Sequence, residues 1–112
     1  MNKKKNELSD EALELIASRF RLLSEPTRLK ILHTLGRREM NVGEIVAETG
    51  ASQANVSKQL GALLDAAVVS RRKEGLTANY RVTDATIFDL CDAVCSRLED
   101  ELRSRQTVLR RI

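Results

Sequence analysis

Between residues 52 and 59 the chain reads Ser-Gln-Ala-Asn-Val-Ser-Lys-Gln, so that Ser52, Gln53, Asn55, Ser57, Lys58 and Gln59 all carry hydrogen-bonding side chains. Amides can pair with adenine, hydroxyls with several base edges, and lysine with guanine or phosphate, which is the chemistry of a helix that reads DNA. Further along, Arg71, Arg72 and Lys73 form a run of cations of the kind that meets the phosphate backbone. Cys91 and Cys95 are the chain's two thiols. Four residues apart on a helix, their Cβ atoms stand about 5 to 6 Å apart, whereas a disulfide wants roughly 3.5 to 4.5 Å. One soft metal or metalloid ion bridging them, or pairing across a dimer axis, fits that spacing better than a bond within one helix. Both also lie on an apolar stripe, where free cysteine is a good packing residue. His33, the one histidine, reads as a packed or surface side chain rather than a ligand. There is no second histidine, no phosphate-cradling glycine loop and no nucleophile paired with a base, so no enzyme is expected.

The reading helix needs a scaffold, and the spacing of apolar residues supplies one. Ser9 can cap a helix over about 10 to 23, with Leu13, Ile16, Ala17, Phe20 and Leu23 on one face. Pro26 restarts the chain into a second helix carrying Leu29, Ile31, Leu32 and Leu35, which Gly36 ends. Asn41 and Glu44 have the spacing of a capping box for a short third helix that runs to Gly50. After Thr49-Gly50-Ala51, Ser52 caps the fourth, whose buried stripe is Val56, Leu60, Leu63 and Leu64. From Val68 the residues favour two short strands around a turn near Glu74 and Gly75. Asp84 then caps a long last helix with Ile87, Leu90, Cys91, Val94, Cys95, Leu98 and Leu102 in helical period. The expectation is a mainly α protein with a small β-hairpin, in the order α-α-α-α-β-β-α: a winged helix-turn-helix. Residues 1–9 read as a disordered polar tail, 10–105 as a single domain and 106–112 as a basic tail.

Composition supports this. Of 112 residues, 31% are charged and only 3% aromatic, so the core must rest on aliphatic side chains. The net charge is +3 and unevenly spread. Residues 52–83 set Lys58, Arg71, Arg72, Lys73 and Arg81 against Asp65 and Glu74, whereas residues 84–102 set six carboxylates against Arg97. A basic middle beside an acidic helix offers one face to a polyanion and another to something else. No apolar stretch approaches the roughly 20 residues of a bilayer span, and no apolar segment follows Lys3, Lys4 and Lys5, so a cytoplasmic protein with no membrane contact is expected.

Leu23-Ser24-Glu25-Pro26-Thr27-Arg28-Leu29-Lys30-Ile31-Leu32, then Val42-Gly43-Glu44-Ile45, then Ser52-Gln53-Ala54-Asn55-Val56-Ser57-Lys58-Gln59-Leu60 resemble successive signatures of the ArsR/SmtB repressors. The likeness covers roughly Arg21 to Leu98. It implies a homodimer that binds double-stranded operator DNA and is released by a metal, metalloid or sulfur and redox signal. It also implies that the first and last helices form the dimer interface, to which the apolar stripes contribute Leu13, Ile16, Phe20, Ile87, Leu90, Val94 and Leu98. The family's Cys-x-Cys metal site is absent, since that stretch reads Glu39-Met40-Asn41-Val42-Gly43. A second family site, built from Asp and His on the last helix, retains Asp84 and Asp100 but has Thr86 and Arg97 where histidines would be. By elimination Cys91 and Cys95 remain as the sensor of a thiol-directed signal, with the metal, if any, unknown. The alternatives are an inducer-independent winged-helix regulator and a winged-helix module that binds protein.

Overall fold

The computed structural model describes residues 7–110, with side chains through Gln106. Most of the tail expected at 1–9 lies outside the described residues, but Ser9 accepts a hydrogen bond from the Ala12 amide at 3.0 Å and so starts helix α1 (Asp10–Leu23). Helix α2 (Pro26–Leu35) opens on Pro26, with the Glu25 carboxylate taking the Thr27 amide at 2.5 Å. At Asn41 the capping box forms in full: Asn41 Oδ1 accepts from the Glu44 amide at 2.8 Å and Glu44 Oε1 from the Asn41 amide at 2.9 Å, opening α3 (Val42–Thr49). Gly50 follows at φ +76°, a left-handed turn that a side chain would strain. Ser52 Oγ takes the Asn55 amide at 3.1 Å and starts α4 (Gln53–Asp65).

The hairpin consists of β2 (Val69–Glu74) and β3 (Thr77–Val82) around Gly75. A strand that the pattern of residues did not reveal joins them: β1 (Met40–Asn41) pairs antiparallel with β3, giving a three-stranded sheet in the order β1-β3-β2. Two residues are too few to show alternation. Helix α5 (Thr86–Arg110) continues past residue 105, because no glycine or proline stops it where the basic tail was expected; residues 111–112 lie outside the described part.

The core is formed by Ile31, Leu32 and Leu35 of α2, Met40 of β1, Ile45 of α3, and Val56, Leu60 and Leu63 of α4, closed by Val68, Val69 and Tyr80. Leu23 and Ile87 attach the outer helices to it. Ile87, expected at a dimer interface, is 2% exposed and therefore belongs to this core: it stands in the first turn of α5, where the helix still rests on the domain. The radius of gyration is 18.2 Å, against about 13 Å for a compact chain near this length. No helix of the described residues is long and apolar enough to cross a membrane.

Candidate nucleic-acid interface

On α4, Val56, Leu60 and Leu63 face inward and Gln53, Ser57 and Lys58 face out, with Ser52 exposed at the cap and Asn55 half-buried. Gln59 corrects the expectation drawn from its polarity. It stands three residues after Val56 on the inward face and is only 7% exposed, with Nε2 donating to Asn55 Oδ1 at 3.0 Å. Gln59 thus steadies Asn55 instead of meeting a ligand. Asn55 keeps one lone pair on Oδ1 and both amide hydrogens, enough for a bidentate pairing with a base.

The wing sorts its cations by strand parity. Paired residues share a face of the sheet, and the register sets Val69 opposite Val82, Arg71 opposite Tyr80 and Lys73 opposite Ala78. Since Val69 and Tyr80 are buried, Arg71 and Lys73 project from the face that covers the core, out beyond its edge. They have no ion-pair partner among the described residues. Arg72 lies on the opposite face. Its guanidinium donates to the Glu39 carboxylate at 2.7 and 3.3 Å and stands 3.5 Å from Glu74. The hydrogen bond from Arg72 holds the Glu39 carboxyl below the usual carboxylate range, and the same pairing raises the Arg72 pKa. Glu39 escaped the sequence analysis because its role depends on β1, which places it across β3 from β2.

Cys91 and Cys95 line an apolar groove of about 400 Å³ between α1, α2 and α5, together with Phe20, Leu29, Val94 and Leu98. His33 lines it too, which its position between Leu32 and Thr34 did not foretell. A backbone carbonyl can only accept, so the 2.9 Å contact of His33 Nδ1 with the Leu29 oxygen is an Nδ1–H donation. The ring meets Phe88 edge-on at 5.3 Å. Cys91 is half-buried and Cys95 exposed. Burial, with the nearby Asp92 carboxylate adding to it, pushes the Cys91 thiol up. Among the described residues no three His, Cys, Asp or Glu side chains are grouped so as to hold a metal ion.

Residues 25–71, which run from the start of α2 into the wing, match the family profile described as "Bacterial regulatory protein, arsR family". The chain is 33% identical over 102 residues to the HTH-type transcriptional regulator Rv0081 of Mycobacterium tuberculosis, covering 90% of each. The crystal structure of Rv0081 superposes with a TM-score of 0.74 over 87% of this chain and 98% of that one. The probable mercury resistance operon repressor of Streptomyces lividans is 42% identical over 71 residues, 63% of this chain and 57% of that relative. A homodimeric winged helix-turn-helix DNA-binding domain from Mycobacterium bovis, studied in solution, is 28% identical with a TM-score of 0.66, over 87% of this chain and 93% of that one. The capped helix pair, the wing and these relatives lead to one conclusion: the protein belongs to the arsR family of bacterial regulatory proteins, DNA-binding winged helix-turn-helix transcriptional regulators and not enzymes.

Proposed function

We propose that the chain is a dimeric, cytoplasmic repressor that grips a two-part operator with two copies of α4 and lets go on a thiol-directed signal at Cys91 and Cys95. The observation that carries the DNA half is the outward set Ser52, Gln53, Ser57 and Lys58 on a capped helix, with Asn55 braced by Gln59. These side chains read the major groove, and Arg71 and Lys73 meet phosphate. Exposed Leu13, Ile16, Phe20, Val94 and Leu98 form the apolar surface that a second copy covers, with half-buried Leu90 beside them. The homodimeric relative from Mycobacterium bovis supports a homodimer.

Both thiols line the groove on this same surface, so an adduct there alters how two protomers meet. Half-sites must be matched about 34 to 36 Å apart, and a small change in the angle between protomers defeats the match. Release follows from a difference in inducer affinity between the two shapes, typically about 1 to 3 kcal/mol. A thiolate pair suits a soft ion such as mercury, which the relative from Streptomyces lividans is named for. A single protomer offers two sulfurs, so a four-sulfur site would draw on both. The opposing observation is Cys91 itself: a half-buried thiol whose pKa is raised is a slow nucleophile and fits packing.

The test is a gel-shift titration on DNA from the protein's own promoter, with Hg(II), As(III), Zn(II), a persulfide and an oxidant added in turn. Wild type should release under at least one of them while Cys91→Ser/Cys95→Ser stays bound. Release by the double variant moves the sensor elsewhere, and no release by any agent leaves an inducer-independent regulator. In parallel, Gln53→Ala/Asn55→Ala should weaken operator binding by about 1 to 3 kcal/mol per base pairing lost. Undiminished affinity would assign α4 to a protein partner.

A further inference from the structure

Strand parity divides the wing into two chemical faces, and the outer one is already occupied. Glu39 immediately precedes β1, whose register places Met40 opposite Tyr80, so Glu39 stands on the face of Arg81 and of Arg72. Arg72 reaches it with Nη2 at 2.7 Å and Nε at 3.3 Å, a two-pronged grip of the kind that fixes orientation as well as distance. Glu74 approaches Arg72 at 3.5 Å and also accepts from Asn79 Nδ2 at 3.4 Å, so the pair sits in a small network on that face. Two residues after Glu39, Asn41 caps α3, the first helix of the helix-turn-helix. The contact therefore spans from the middle of the wing to a point two residues before the cap that starts the DNA-reading unit, across 33 positions of sequence.

We propose that Glu39 and Arg72 form a brace that sets the wing's position against the helix-turn-helix, making Glu39 a positioning residue of the DNA interface. Arg72 acts through Glu39 and not on phosphate; Arg71 and Lys73, on the other face, carry the phosphate contacts. The proposal rests on the DNA-binding reading above. Its physical content is that an arginine already committed to two carboxylates has no net charge to give to the backbone, while a wing left unbraced presents Arg71 and Lys73 over a wider range of positions. The pair is solvent-exposed, so its loss should be felt in wing order and not in global folding.

The experiment uses the full chain and a duplex of its promoter DNA, with Arg71→Gln, Arg72→Gln, Glu39→Gln, the double Glu39→Gln/Arg72→Gln and the swap Glu39→Arg/Arg72→Glu. Glu39→Gln and Arg72→Gln should each weaken binding by about two- to fivefold, the double no further, and the swap should recover most of the loss. None of these three neutralised variants should change the salt slope, whereas Arg71→Gln should reduce its magnitude by about 1. Without DNA, the heteronuclear 15N relaxation of Gly75 and Leu76 should report a looser wing in Glu39→Gln and Arg72→Gln and not in Arg71→Gln. An unmoved wing overturns the brace whatever the DNA result. So does an Arg72→Gln variant that loses about one unit of salt slope while Glu39→Gln binds as well as or better than wild type, because Arg72 is then a phosphate contact. A loosened wing with no variant affecting DNA affinity would instead strike the DNA-binding reading.

Discussion

Among the described residues, all but two of the buried apolar side chains lie between Ile31 and Tyr80, and only Leu23 and Ile87 come from α1 and α5. The large apolar side chains left exposed show the reverse. Leu8, Leu13, Leu15, Ile16 and Phe20 lie on or beside α1, Val94, Leu98 and Leu102 lie on α5, and Leu76 at the wing tip alone belongs to the middle. The middle is a unit whose hydrophobic face is satisfied internally. The outer helices are amphipathic but have little in the protomer to rest on. On the dimeric reading proposed above, one sequence rule, apolar residues at helical period, serves folding in one region and association in the other.

Substitutions can break this contrast or sharpen it. The largest effect is expected from Val94→Glu on the exposed stripe of α5. If the two ends build the dimer, the variant should sediment as a monomer that folds with little change, and lose about 100- to 10,000-fold in affinity for a two-part operator through lost bivalency. A dimer that persists would remove α5 from the interface. Leu63→Ala in the middle should do the opposite, lowering the unfolding free energy by about 2 to 5 kcal/mol while leaving residual native protein dimeric. Urea titration followed by circular dichroism measures the first effect and sedimentation the second. A loss below about 1 kcal/mol would mean that the core there is less tightly packed than its zero exposure implies.

The smallest effect is expected where the two outer helices are tied to each other. Asp84 accepts from Arg19 Nη1 of α1 at 2.6 Å and from the amide and hydroxyl of Thr86, the first residue of α5. Asp84→Asn should cost about 1 kcal/mol or less, since the ion pair is partly open to solvent. The Thr86 hydroxyl first, then the Thr86 amide and Arg19, hold the Asp84 carboxyl below its ordinary range. A depressed carboxyl contributes stability above its unfolded pKa of about 3.9 and loses it as pH falls through the folded value. The difference between wild type and Asp84→Asn in urea should therefore be full at neutral pH and vanish well below about pH 3.9. A difference that survives acid would place the effect in packing and not in charge.

The helix starts were legible because a cap is a bargain among neighbours: Ser9, Asn41 with Glu44, and Ser52 each close their hydrogen bonds within three residues. So were the left-handed turn at Gly50 and the hairpin around Gly75. Polarity, by contrast, placed Gln59 on the wrong side, because a residue's face follows from its phase against Val56, Leu60 and Leu63 and from what packs there. Periodicity likewise assigned Ile87 to an outer surface, since it records that a stripe is apolar and not which part of the stripe is already covered.

The sequence by itself determined the order of helices, their caps, the polar helix with its basic hairpin, and through them the class of protein, since all of these are set by residues a few positions apart. Tertiary structure alone decided which cations of the wing are free, by pairing Arg72 with a carboxylate 33 residues away, and brought His33 of α2 into the groove of Cys91 and Cys95. It also joined α1 to α5 through a contact 65 positions apart. Such meetings depend on how completed elements pack, and no local preference of the chain encodes them.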